Sequence, residues 1–84
     1  MNIGAYRQAL EKYVSEAVLN SDGTHAGISN YLWGIRLSRL TLNRYEKQLA
    51  LDDARRAFDE HRNWPVGVVL SHLGVKPTSK EPER

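Results

Sequence analysis

The spacing of apolar residues near the N-terminus restricts the fold of this chain more than any other feature of its sequence. Between residues 3 and 18, apolar side chains recur at intervals of three and four positions, which places them on one face of an α-helix. This face comprises Ile3, Tyr6, Leu10, Tyr13, Val14, Ala17 and Val18. The pattern predicts an amphipathic first helix, whose stability depends on packing its apolar side against other elements.

The sequence Asn20-Ser21-Asp22-Gly23 predicts the end of this helix, because Gly23 can adopt a left-handed turn. Asp-Gly is also a common turn of β-hairpins. A hairpin needs flanking residues that alternate with a period of two, and residues 12–19 fit helical spacing better. We therefore predict a helix end here, with a hairpin as the less favoured alternative.

Residues 24–50 are apolar on two sides. One side carries Ile28, Tyr31, Leu32, Ile35 and Leu42, and the other carries Trp33, Leu37 and Leu40. A helix of this kind is usually central, with Ser29 or Asn30 as its N-cap here. Because glycine costs a helix about 1 kcal/mol relative to alanine, Gly34 suggests that the first helix approaches closely there. Whether 28–50 forms one helix, two helices or contains a strand pair at 35–42 stays open.

Two further helix starts are indicated by Thr41 and by Asp52, which are typical N-cap residues. Asp53 would then lie in a first turn, where the helix dipole favours a carboxylate. The apolar positions that follow the two caps are Leu42, Tyr45 and Leu49, and then Ala54, Ala57, Phe58 and His61. The pattern does not decide whether 41–62 is one helix or two.

A last short helix is bounded by Pro65, which suits a first turn, and by Gly74 and Pro77, which end it. Its apolar face comprises Val66, Val69, Leu70 and Leu73. Residues 68–75 resemble the first half of a helix-turn-helix motif. The second helix would have to come from 76–84, which contains Pro82 and offers no apolar residue to anchor it after Val75. We therefore predict a helix that packs, followed by a flexible tail.

These elements predict an all-α fold, a compact bundle of four to five short helices with a frayed C-terminal tail. A chain of 84 residues is expected to form one domain, here residues 1–77, with 78–84 as the tail. The chain has no cysteine and no apolar run of about 18 residues, and the pattern of residues 1–20 does not predict a signal peptide. A cytoplasmic location is the expectation.

Catalytic, metal and cofactor sites are not predicted. Neither a cysteine nor a Gly-x-Ser-x-Gly motif is present, and His25, His61 and His72 are not spaced to converge with a carboxylate on one helix face. Zinc sites need about four ligands at short paired spacings, and only Asp22 and His25 form such a pair. The sequence therefore favours a protein that is not an enzyme and holds no cofactor.

The positive charge is concentrated in the middle of the chain. The net charge is +2, and within residues 28–50 four basic residues face one acidic residue. Arg36, Arg39, Asn43 and Lys47 would form one stripe if 30–50 were a continuous helix, with Arg44 nearby. Such a stripe could contact phosphates, while Tyr31 and Trp33 could stack on bases. Nucleic-acid binding is the alternative function, although the segments on both sides are acidic.

A protein partner is the preferred prediction, because Tyr, Trp and Arg dominate binding hot spots. We expect a non-catalytic module that docks on a protein, such as an accessory regulator or inhibitor of the kind that phages and plasmids encode. The candidate contact residues are Tyr31, Trp33, Arg36, Leu37, Arg39, Arg44, Lys47 and Trp64. A homodimer would bury the same surface. The sequence leaves open the identity of the partner and whether docking activates or inhibits it.

Overall fold

The computed structural model describes residues 1–38 and 44–75, in which the chain forms four helices and no strand. They are α1 (Ile3–Asn20), α2 (His25–Arg36), α3 (Tyr45–Glu60) and α4 (Val66–Leu73). The predicted all-α class is therefore confirmed for these ranges. The strand pair at 35–42 is wrong for its first two residues, which belong to α2, and the rest of that pair from residue 39 onward lies outside the described residues.

Helix α1 forms as its apolar spacing predicts. Asn2 is the N-cap, and its side-chain oxygen accepts a hydrogen bond from the backbone N–H of Ala5 at 3.1 Å. The buried face consists of Ala9, Leu10, Tyr13, Val14 and Ala17. Ile3, predicted on the same face, is 57% exposed. Gly23 follows the helix at φ 82°, so the left-handed turn is confirmed and the hairpin is wrong.

The N-cap of α2 lies five residues before Ser29, the earlier of the two predicted caps. Thr24 is the N-cap, and its hydroxyl accepts a hydrogen bond from the N–H of Gly27 at 3.0 Å. The Asp22 carboxylate in turn accepts bonds from the Thr24 N–H at 3.0 Å and its hydroxyl at 2.7 Å. The two predicted caps, Ser29 and Asn30, therefore lie inside the helix, and Ser29 is buried. A Cβ at Gly27 would collide with the Asp22 side chain, which fits glycine at that position.

The two apolar sides of α2 have different surroundings. Ile28 and Leu32 are completely buried, whereas Trp33 and Leu37 are 44% and 63% exposed. Helix α2 is therefore not enclosed by neighbours on all sides. The close approach expected at Gly34 is wrong, because a Cβ built there would meet only open space.

Helix α3 is the central element, since it packs against α1, α2 and α4. It is continuous across Leu51 and Asp52, so the question left open for 41–62 is answered against a break at these residues, and the predicted N-cap at Asp52 is wrong. Arg44 occupies the N-cap position without a side-chain capping bond. The predicted cap Thr41 and its neighbour Leu42 lie outside the described residues. The buried residues of α3 are Ala50, Leu51, Ala54, Ala57 and Phe58.

Helix α4 is short and sharply ended. Pro65 is its N-cap rather than its first residue, and Gly74 closes it at φ 78°. The N–H of Val75 donates to the Leu70 carbonyl at 2.9 Å, and that of Gly74 to the Ser71 carbonyl at 3.0 Å. This pair of bonds is a Schellman motif, in which an apolar residue after the glycine packs back on the helix. Val75 is accordingly buried. Pro77 and the predicted tail 78–84 lie outside the described residues.

The core draws residues from all four helices. Its largest completely buried side chains are Val14, Ile28, Leu32, Leu51, Phe58 and Val69. Of the predicted α4 face, Val69 and Leu70 are buried while Val66 and Leu73 pack partly against the core. Within the part of the chain that the structure describes, no helix combines the length and apolar character needed to cross a membrane.

Candidate docking face and basic cleft

Trp33 of α2 and Leu37, the C-cap residue at its end, are two large apolar side chains that are exposed. They are four positions apart, which places them on the same side of the helix. The guanidinium of Arg55, from α3, lies 4.2 Å from the centre of the Trp33 ring. This is a cation–π distance, and it fixes one side of the indole against α3.

A single carboxylate connects the two arginines beside this tryptophan. Arg36 Nε donates a hydrogen bond to Asp52 Oδ1 at 3.2 Å, and Arg55 Nη1 lies 3.7 Å from the same oxygen. The Nε of Arg55 is buried and has no hydrogen-bond partner among the described residues. We refer to Trp33, Arg36, Leu37, Asp52 and Arg55 as the Trp33 face. Arg36, predicted as a partner contact, is already paired within the protein.

Tyr31 lies on a different side of α2 from Trp33. It is half-buried, and its hydroxyl donates to Glu16 Oε2 of α1 at 2.9 Å. This hydrogen bond raises the pKa of Tyr31, with desolvation as a smaller cause. Tyr31 therefore ties α2 to α1, while Trp33 faces outward.

Trp64 brings together all three histidines of the sequence. The His61 ring stacks on its indole with 3.7 Å between centroids and 11° between planes. The His72 ring meets the Trp64 ring edge-on at 5.5 Å, and His25 Nε2 donates to the Trp64 carbonyl at 2.6 Å. We call these four residues the ring cluster. The sequence predicts that the three histidines do not converge with a carboxylate on one helix face, and they do lie on or next to three different helices. Their shared contact with Trp64 comes from the packing of these elements.

The ring cluster connects elements that are far apart in the sequence. His25 begins α2 and meets Phe58 of α3 edge-on at 6.0 Å, while His61 follows α3 and His72 belongs to α4. Across residues 1–38 and 44–75, no group of three or more His, Cys, Asp or Glu side chains is arranged to hold a metal. Trp64 is half-buried in this cluster, so most of its predicted contact surface is used internally.

The predicted basic stripe does not form. It required one helix over 30–50, whereas α2 ends at Arg36 and α3 begins at Tyr45. Arg36 pairs with Asp52, while Arg44 and Lys47 lie at the start of α3 beside α1. The predicted contact residue Arg39, with Leu40 and Asn43, lies outside the described residues.

Arg44 and Lys47 line a cleft of about 270 Å³ between α1 and the start of α3, which we call the basic cleft. Its lining residues are Ala5, Gln8, Ala9, Lys12, Tyr13, Arg44, Glu46 and Lys47. The Lys12 ammonium lies 5.7 Å from the centre of the Tyr13 ring. Sequence reasoning missed Lys12 because it lies among the polar positions of α1, which ordinarily face solvent.

Glu46 contributes the only carboxylate among these lining residues. Its Oε2 accepts a hydrogen bond from the backbone N–H of Asn2 at 2.9 Å. That bond is the main cause of a lowered pKa for Glu46, and the charge of Arg44 adds to it. Glu46 therefore stays ionised at neutral pH and ties the start of α1 to the start of α3.

Comparison of this chain with family models, with curated proteins and with solved structures gave no match in any of the three.

Proposed function

We propose that this protein is a small, non-catalytic binding module that docks on a protein partner through the Trp33 face. The observation that carries the proposal is the pair of exposed apolar side chains, Trp33 on α2 and Leu37 at its C-cap, which are about one helical turn apart. An exposed indole beside an arginine has the composition of a binding hot spot.

Preorganisation supports this role for Trp33. The Arg55 guanidinium over its ring holds the indole in place before any partner arrives. An ordered side chain loses less rotamer freedom on binding, and that loss is a main cost of forming an interface. Arg55 is itself held by Asp52, which also binds Arg36 of α2. The face is thus a fixed surface formed by two packed helices.

The charges around the indole indicate the character of the partner surface. Arg36 and Arg55 share the single carboxylate of Asp52, so the five residues of the Trp33 face have a net charge of +1. The complementary surface is apolar at its centre with acidic groups at its edge. We propose that the protein acts in the cytoplasm as an accessory regulator or inhibitor of this partner.

The proposal is tested by affinity capture from the native host's lysate, treated with nuclease and untreated. The wild-type chain is compared with Trp33→Ala and Leu37→Ala, and with Tyr45→Ala as a matched control. Tyr45 is 62% exposed and lies at the start of α3, outside the Trp33 face. We expect one nuclease-resistant protein partner to be retained by wild type and Tyr45→Ala and lost by both other variants.

The contrary result is a partner retained equally by all four proteins, which would remove the Trp33 face from the interface. Circular dichroism of each variant separates a lost contact from a lost fold. A second check is the purified partner, whose affinity should fall by 2 kcal/mol or more, or about 30-fold, for Trp33→Ala.

A further inference from the structure

The basic cleft brings together three basic side chains that have no salt-bridge partner among the described residues. Lys12, Arg44 and Lys47 face one carboxylate, Glu46, so the side chains of the described lining residues have a net charge of +2. Among the described residues, no carboxylate oxygen lies within 4.0 Å of the charged nitrogens of these three cations. By contrast, Arg36, Arg55 and Arg56 each have an aspartate within that distance.

The single acid in the cleft does not cancel this charge. The Glu46 carboxylate is engaged by the Asn2 N–H, so one of its oxygens is directed to the protein backbone. The three cations come from two helices, Lys12 from α1 and Arg44 with Lys47 from the start of α3. They therefore surround a cleft and do not form a run along one solvated helix face.

The size and the walls of the cleft limit what fits. Its volume of about 270 Å³ is just below the range of about 300–1,000 Å³ that is typical of small-molecule pockets. Tyr13 and the small residues Ala5 and Ala9 supply an apolar wall, and Gln8 offers an amide. A phosphate group with a small organic portion matches both the volume and this mixture of charge and ring.

Charge favours a phosphate monoester over a carboxylate. A phosphate monoester carries about −1.5 to −2 at neutral pH and three acceptor oxygens, which matches the net +2 of the lining. Arginine can bind two phosphate oxygens at once, while lysine acts as a point charge. We propose that the basic cleft is a binding site for a small phosphate monoester, held by Lys12, Arg44 and Lys47. This site lies apart from the Trp33 face and does not depend on the docking function.

The test is a titration of the whole chain, labelled with nitrogen-15 and followed through its backbone amide shifts. The probes are phenyl phosphate, inorganic phosphate and benzoate, which has the ring without the dianion, each at low ionic strength. We expect phenyl phosphate to shift amides around residues 8–13 and 44–48, inorganic phosphate to shift the same amides more weakly, and benzoate to leave them unchanged.

Variants assign the effect to the cleft. Lys12→Gln and Lys47→Gln should each weaken phenyl phosphate binding by about tenfold, the usual effect of removing one charged hydrogen bond. The matched control is Arg7→Gln, which makes the same charge change on the exposed surface of α1 outside the cleft lining. It should change the affinity by less than about twofold.

Four outcomes would overturn the site. The first is the absence of shifts with phenyl phosphate at about 20 mM, far above the range typical of specific sites. The second is an equal loss of affinity in Arg7→Gln, and the third is equal binding of benzoate. The fourth is a single-stranded oligonucleotide that binds through these residues with a steep salt dependence while phenyl phosphate does not, which would identify a nucleic-acid surface instead.

Discussion

The contacts that hold helices α1, α2 and α3 together differ in kind from those that attach α4 to them. The first three share a core of mainly aliphatic and alanine side chains, with Tyr13 and Phe58 as its aromatic members, and each packs against the other two. Helix α4 packs mainly on α3 and buries Val69 and Leu70, with the ring cluster at its base. Aliphatic burial stabilises in proportion to area, whereas ring contacts depend on the relative orientation of their partners.

This difference locates the weakest part of the described fold. A segment with few buried apolar residues opens at lower free energy than the core to which it is attached. Helix α4 has eight residues and two completely or nearly completely buried side chains, apart from Val75 beyond its end. We therefore expect α4 to open locally while α1, α2 and α3 remain folded.

The largest effect is expected from Phe58→Ala. Phe58 is completely buried on α3 and contacts the His25 ring edge-on, so its removal leaves a cavity in the shared core. Such truncations cost about 3–5 kcal/mol, enough to unfold a domain of this size to a large extent. Urea denaturation followed by circular dichroism measures it, with the exposed Tyr45→Ala as control. A loss below about 1 kcal/mol would mean that the three helices do not depend on this core.

The second effect is expected from Trp64→Ala. Trp64 is half-buried, so we expect about 2 kcal/mol, less than for a fully buried aromatic side chain. The decisive measurement is amide hydrogen exchange, residue by residue. Protection should fall in 66–73 far more than in 9–17. Equal loss of protection in both ranges would show that α4 opens only with the whole molecule, and would remove the distinction between the two regions.

Part of the difference between α1–α3 and α4 could be predicted from the sequence. The apolar spacing of α1 and the signals of Pro65 and Gly74 are local, and they gave both helices with nearly correct ends. The separation of Trp33 and Leu37 from the buried side of α2 also follows from helical spacing. The cap formed by Thr24 and Asp22 was not predicted, because the apolar pattern of α2 begins only at Ile28, four positions after Thr24.

The remainder depends on how the helices are placed relative to one another. Trp64 contacts all three histidines only because the turn after α3 brings it next to His25 at the start of α2 and next to His72 of α4. Arg55 reaches Trp33, and Lys12 reaches the cleft of Arg44, through the same kind of placement. The spacing of residues along one helix does not predict which side chains of a second helix they contact. The close helix approach predicted at Gly34 was wrong for the same reason. The sequence does not distinguish a glycine that permits close packing from one that faces open space.

A third, smaller effect is expected within the three-helix region from Thr24→Ala. The Thr24 hydroxyl accepts the Gly27 N–H and donates to Asp22, so alanine leaves the first turn of α2 uncapped. Loss of an N-cap costs about 1 kcal/mol, and Thr24→Ser should retain most of it. Urea midpoints of the three proteins measure this. An unchanged midpoint for Thr24→Ala would mean that water replaces the cap.

The same cap predicts a response to acid. Hydrogen bonds from Thr24 lower the pKa of Asp22 below its usual value, first through the backbone N–H and then through the hydroxyl. A carboxyl with a depressed pKa stabilises the fold above its unfolded pKa, and this contribution disappears as the pH falls through the folded value. The stability difference between wild type and Thr24→Ala should therefore shrink in acid. A constant difference down to the lowest measurable pH would contradict it.

The smallest effect at neutral pH is expected from Tyr6→Phe, at the border of the two regions. The Tyr6 hydroxyl donates to Asp53 Oδ2 at 2.7 Å, and both residues line a cleft with His61 and His72 of the ring cluster. Replacing it should cost about 1 kcal/mol or less, because one hydrogen bond is lost and the ring remains. If α4 is held independently, its hydrogen exchange should not change in this variant.

The hydrogen bond between Tyr6 and Asp53 predicts a response to alkaline pH. Burial, and then the hydrogen bond to Asp53, raise the pKa of Tyr6 to about 12. A raised pKa stabilises the fold fully below the ordinary tyrosine value of about 10, and the contribution is lost as the pH rises from there toward the folded value. Wild type should therefore lose its advantage over Tyr6→Phe across that interval in urea denaturation. An advantage that persists unchanged above the ordinary tyrosine pKa would mean that the hydroxyl stabilises the fold without this hydrogen bond, and that α1 and α3 are joined at this border by packing alone.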